Sequence, residues 1–164
     1  MANSLNCYNG KTTRFKIMNS SKILGFWPTV HLAQLPQIAK EIWSHLPQPG
    51  LICLRAEMGS GKTTLVKNLL AQVQIEHFEG SPTFSIVQPY VSPIKGPIYH
   101  LDCYRIENTA EIPNLGLEEL LDENAYFFIE WAENITEILP NQHFWLYIRS
   151  NADQSREITL CHDH

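Results

Sequence analysis

The sequence predicts an α/β fold in three layers, with a mostly parallel central sheet flanked by helices and antiparallel hairpins at its edges. Three observations carry that expectation. At 51–70, LICLRAEMGSGKTTLVKNLL, a short apolar run meets a glycine-bearing turn and passes straight into a helical pattern. At 126–131, YFFIEW is apolar without alternation, as strands buried on both faces are. At 98–102, IYHLD is short, largely apolar and ends in an acid. In open sheets of this kind the active-site groups sit at the carboxyl ends of the strands.

In chain order, residues 1–21 are polar, rich in Asn, Ser, Thr and Lys, and read as a loose N-terminal extension. Residues 23–27 read as a short edge strand closed by Pro28. Over 32–46 the apolar positions Leu35, Ile38, Ala39, Ile42 and Leu46 recur at helical spacing, and Pro47, Pro49 and Gly50 stop that helix. After 51–70, the helix ends near Gln74. The segment SPTFSIV at 81–87 starts with a turn, and Phe84, Ile86 and Tyr90 then alternate like a strand. Pro89, Ser92, Pro93, Gly96 and Pro97 mark a hairpin. Residues 109–122 are acidic and weakly helical, broken at Gly116. The segments 144–149 and 157–160 read as a hairpin at the sheet edge, and the last residues, CHDH at 161–164, as a frayed tail. One domain at 22–160 accounts for the rest.

Composition narrows the function classes. The chain has 164 residues, 44% of them hydrophobic and 18% charged, enough for one core and too few for two full domains. Its net charge is -5, and no Lys/Arg-rich run occurs. A protein that holds DNA or RNA by itself needs a basic footprint, so DNA binding is not expected and RNA contact would be shared with a partner. Cys7, Cys53, Cys103 and Cys161 are widely spaced without a C-x-x-C, which argues against a disulfide framework or a zinc site. Neither a signal peptide nor an apolar run of membrane-spanning length is evident, so a cytoplasmic location is expected.

The turn at 56–63 carries the chemistry. Gly59 and Gly61 let the backbone of Glu57, Met58, Gly59, Ser60 and Gly61 curl so that successive N–H groups face phosphate oxygens, at a helix N-terminus that adds partial positive charge. In this pattern Lys62 is expected to reach the β and γ phosphates, and the Thr63 hydroxyl to ligate Mg²⁺. The pattern is G-x-x-x-x-G-K-[ST] with Ala56 in place of its first glycine, at a strand end that needs closeness rather than positive φ. Asp102 and Glu130 each close an apolar strand and are candidates for Mg²⁺ or for the attacking water. Trp131 is a candidate to stack on a ring or cover the pocket, and Thr83, one helix and a loop beyond Thr63, to return to the nucleotide. The alternatives are a solvent-facing strand cap at Glu130, a core aromatic at Trp131 and a turn residue at Thr83. Base recognition by N-K-x-D is missing, which disfavours GTP.

The combination AEMGSGKTTLV, SPTFSIVQPY, HLDCYR and IEWAE, in that order and followed by an Arg before a last strand, resembles the TsaE (YjeE-type) family of bacterial ATPases. That family works in making the threonylcarbamoyladenosine modification of tRNA. The resemblance implies a P-loop NTPase-like fold, ATP and Mg²⁺ as ligands, and TsaD-type and TsaB-type partners, with tRNA met only indirectly. It implies that Gly59, Gly61, Lys62, Thr63 and Thr64 hold phosphates, that Thr83 lies near the γ-phosphate, and that Asp102 and Glu130 act at the metal and water. It also implies that Arg156 reaches the nucleotide, with Thr29 as the candidate for an N-terminal threonine there. The arginines are few, Arg14, Arg55, Arg105, Arg149 and Arg156, so turnover alone is expected to be slow. A small-molecule kinase, and a nucleotide-sensing module without turnover, are the competing readings.

Overall fold

The computed structural model describes residues 21–82 and 84–163. Among them, seven strands form one sheet: β1 (Lys22–Val30), β2 (Gly50–Ala56), β3 (Val87–Ser92), β4 (Gly96–Asp102), β5 (Tyr126–Glu130), β6 (Phe144–Ser150) and β7 (Arg156–His162). Their order is β1-β7-β6-β2-β5-β4-β3. The centre, β6-β2-β5-β4, is parallel. The flanking pairs β1-β7, β7-β6 and β4-β3 are antiparallel. The sheet is therefore mixed: a parallel core of four strands with antiparallel strands on both sides, rather than mostly parallel.

Three α-helices, α1 (Leu35–Ser44), α2 (Lys62–Gln72) and α3 (Leu117–Leu121), pack on it with three 3₁₀ segments, Leu32–Gln34, Thr109–Leu115 and Ala132–Ile138. Alternation along each central strand divides the core in two. Ile52 and Leu54 face α1 and α2 together with Phe128 and Leu146. Leu51 and Cys53 face the other way with Phe127 and Ile129, onto Ile112, Leu117 and Ile135 of the short helices. The helical spacing of α1 does what it predicts, burying Leu35, Ile38, Ala39, Ile42 and Trp43. Trp43 also ties the two helices together, its Nε1 donating to the Leu69 carbonyl at 2.8 Å.

Four local expectations change. The β6-β7 hairpin is not at the edge, because β1 adds outside β7 with Lys22 opposite His162. The edge on that side is β1, as the reading of 23–27 expects, but Pro28 does not close it: the strand runs on to Val30, and a residue without an N–H is tolerated where no further strand pairs. The last strand runs through His162, and Cys161 and Asp163 are buried, so residues 161–163 are not a frayed tail. Phe84 and Ile86 lie outside the strand, which starts at Val87. Ile86 has φ +64°, and its N–H donates to the Pro82 carbonyl at 2.7 Å, closing a turn that leaves Phe84 89% exposed. Turn chemistry after Ser81-Pro82 overrides the β propensity of the residues that follow.

Candidate functional site

The carboxyl ends of β2, β5 and β4 meet at one rim of the sheet, with Leu54 in register with Glu130 and Glu130 in register with Asp102. From β2 the chain enters the glycine turn and then α2. Gly59 and Gly61 have φ of +74° and +105°, values that an L side chain strains to adopt. Ala56, in the place of the motif's first glycine, is the last residue of β2 and packs its methyl group in the core, so the exchange costs the turn nothing. The turn is braced from inside: Ser60 Oγ donates to the Glu57 carbonyl at 2.7 Å, and the Leu65 N–H to the Gly61 carbonyl at 2.9 Å.

Lys62 folds over this turn. Its Nζ donates to the Ala56 and Glu57 carbonyls at 3.0 and 3.2 Å and lies 4.2 Å from the centre of the Trp131 ring. Burial pulls the ammonium below its usual range, opposed by the negative charges of Glu130, Glu133 and Asp102. Trp131 holds its place with φ +59°, rare for a bulky residue, and its ring leans on Tyr104 at 5.1 Å.

One strand pairing separates the two acids. β5, not β4, is the strand beside β2, so Glu130 meets α2 first: the Thr63 hydroxyl bonds both Glu130 oxygens, at 2.8 and 3.0 Å. Asp102 stands one strand further out, accepting from the Ser81 hydroxyl and, at 3.1 Å, from the Tyr104 N–H. Both carboxylates are buried, at 3% and 5% exposure. Below them His100 Nε2 lies 2.9 Å from Glu130 Oε1. A hydroxyl and two carboxylates are hard oxygen donors, the set that suits Mg²⁺, which keeps water and substrate oxygens for its remaining positions. The donor chemistry therefore fits the metal.

Two clefts flank the turn. The first, of about 410 Å³, gathers Met58, Gly59, Gly61, Lys62, Thr63 and Thr64 with Asp102, Glu130 and Trp131. The second, of about 580 Å³, shares Gly59, Gly61 and Thr64 but adds Ser60 and Arg156. Arg156 is tied there, its Nε donating to the Ser60 carbonyl at 2.6 Å. Thr29 is exposed on β1 beside Val30, which lines the second cleft. The Glu57 side chain is exposed, and its carbonyl serves the turn. Thr83 lies outside the described residues. Sequence reasoning missed Ser81 and His100. The signal for His100 was a polar residue two positions before Asp102, hence on the same inward face of a buried strand.

A parallel strand, a glycine turn closed by Lys-Thr, and an acid on the adjacent strand define a protein of the phosphate-loop α/β class. Residues 29–158 match the family model "Threonylcarbamoyl adenosine biosynthesis protein TsaE". The chain belongs to the TsaE family. It is 35% identical to the tRNA threonylcarbamoyladenosine biosynthesis protein TsaE of Bacillus subtilis over 82% of this chain and 83% of that one. It is 38% identical to the protein of the same name from Rickettsia prowazekii, over 62% and 69% of the two chains. The crystal structure of Bacillus subtilis YdiB superposes with a TM-score of 0.73 at 28% identity, covering 90% of each chain.

Proposed function

We propose that this protein binds ATP with Mg²⁺ and hydrolyses it slowly, in support of tRNA N6-threonylcarbamoyladenosine formation by a complex of TsaD-type and TsaB-type subunits. The observation that carries this reading is the Thr63–Glu130 pair, a hydroxyl and a carboxylate at 2.8 Å beside the lysine of a glycine turn. The turn's N–H groups and Lys62 take up phosphate charge, and Lys62 leaves its two carbonyl partners to do so. Thr63 and the carboxylates would hold the metal, which would supply charge neutralisation for the phosphates. Glu130, and Asp102 behind it, orient a water for in-line attack. Trp131 covers the lysine and limits bulk water.

The second cleft takes the nucleoside, where Leu32, Leu35 and Ile158 offer apolar surface and Arg156 stands at the turn. Its partner complex, not this chain, transfers the carbamoyl group and touches tRNA, in keeping with a net charge of -5. A cytoplasmic setting belongs to the same proposal; among the described residues no helix is long and apolar enough to cross a membrane. Phosphate release from ATP, measured with and without the two partner subunits, tests the reading. Slow release alone and faster release in the mixture are expected, and intact ATP in both refutes it.

A further inference from the structure

His100 has no part in the chemistry assigned so far, yet it is the most enclosed polar side chain near it. It lies on β4 two residues before Asp102, so the two share a face of the strand. The side chain is fully buried, with Nε2 2.9 Å from Glu130 Oε1 and the ring stacked on Phe78 at a centroid distance of 5.9 Å. Its other nitrogen, Nδ1, is buried without a hydrogen-bond partner among the described residues. A carboxylate oxygen only accepts, and a neutral imidazole carries one N–H. Hydrogen on Nδ1 would leave a buried donor unpaired and a lone pair facing the carboxylate. The hydrogen therefore sits on Nε2.

We propose that His100 is a positioning residue that fixes the rotation of the Glu130 carboxylate by anchoring Oε1. The inference rests on the nucleotide reading of the site. The last torsion of a glutamate is broad, so an untethered carboxylate does not hold one orientation. Glu130 has two tethers here, the Thr63 hydroxyl and the His100 N–H. Thr63 would hold a metal through an oxygen lone pair while its one O–H still donates to Glu130, so that tether would be shared with the metal. His100, enclosed in the sheet and braced by Phe78, keeps its hold throughout. Supporting hydrogen bonds of this kind change activity by about 10–100-fold when removed.

Two measurements decide it. In the full-length protein without nucleotide, ¹⁵N imidazole spectra, assigned by the signal lost in His100→Gln, are expected to show a protonated Nε2 and a bare Nδ1. The Nε2–H resonance should move in Glu130→Gln. A proton on Nδ1, or indifference to Glu130→Gln, overturns the proposal. In ATP hydrolysis, His100→Phe keeps the bulk and the stack but loses the donor. It is expected to lower kcat about 10–100-fold with KM for ATP changed less than about threefold. His100→Gln, which offers an amide N–H at similar reach, should recover most of the rate. An unchanged rate in His100→Phe, or equal losses in both variants at unaltered melting temperature, sinks the positioning role while the ATPase reading stands. Absence of any turnover in the unmodified protein, with or without partners, sinks both.

Discussion

The two clefts beside the phosphate turn share Gly59, Gly61 and Thr64 and differ in nearly everything else. The first draws on the ends of parallel strands: Glu130 from β5 and Asp102 from β4, both held by hydrogen bonds in a buried setting. The second draws on the antiparallel flank, with Val30 from β1, Leu32 after it, and Arg156 and Ile158 from β7. Strands buried on both faces position charges that must not move. The antiparallel flank offers apolar shape to something that lies against it. In the proposed function, the first side therefore sets rate and the second sets affinity for the nucleoside.

The largest expected effect comes from the residue on which the first side depends. Lys62→Ala should weaken a fluorescent ATP analogue by about 100-fold or more, since a charge-assisted contact to phosphate is lost and about 1.4 kcal/mol corresponds to each factor of ten. Retained affinity would mean that phosphate does not sit on this side. Glu130→Gln is expected next, lowering kcat by about 100-fold while the analogue's Kd changes less than about threefold. A large loss of binding in that variant would erase the division between rate and affinity. Arg156→Ala should do the reverse, weakening binding by about tenfold with kcat nearly unchanged. It should also lower stability by about 1–2 kcal/mol in denaturant unfolding, because the Ser60 carbonyl loses its 2.6 Å donor.

The sequence made the first side more legible than the second. Buried parallel strands write themselves as unbroken apolar runs, and YFFIE became β5 as expected. The glycine turn was equally plain, since two glycines with positive φ and a following Lys-Thr leave few other uses. What the residues could not tell apart was Asp102 from Glu130, because each ends a similar strand. Their difference lies in strand order, with β5 inserted between β2 and β4, and that order is a property of crossovers rather than of local pattern. The hairpin at 144–160 was misplaced at the edge for the same reason, because β1, itself read as an edge strand, pairs outside β7 across more than a hundred residues. At 84–86 a local rule failed, where a turn held by the Pro82 carbonyl outweighed alternation.

The smallest predicted effect is the sharpest on the second side. Leu32 is 73% exposed and lines the mouth of the second cleft, so its removal costs the fold almost nothing, within about 0.5 kcal/mol for a surface change. If an adenine ring lies against it, Leu32→Ala should weaken ATP by about two- to fivefold, the worth of a few tens of Å² of apolar contact. Inorganic tripolyphosphate, which has the phosphates and no ring, should bind the variant and the unmodified protein alike. Calorimetry with the two ligands separates the sides in one experiment. Equal weakening of both would mean that Leu32 acts through the turn, and that the second cleft serves phosphate rather than base.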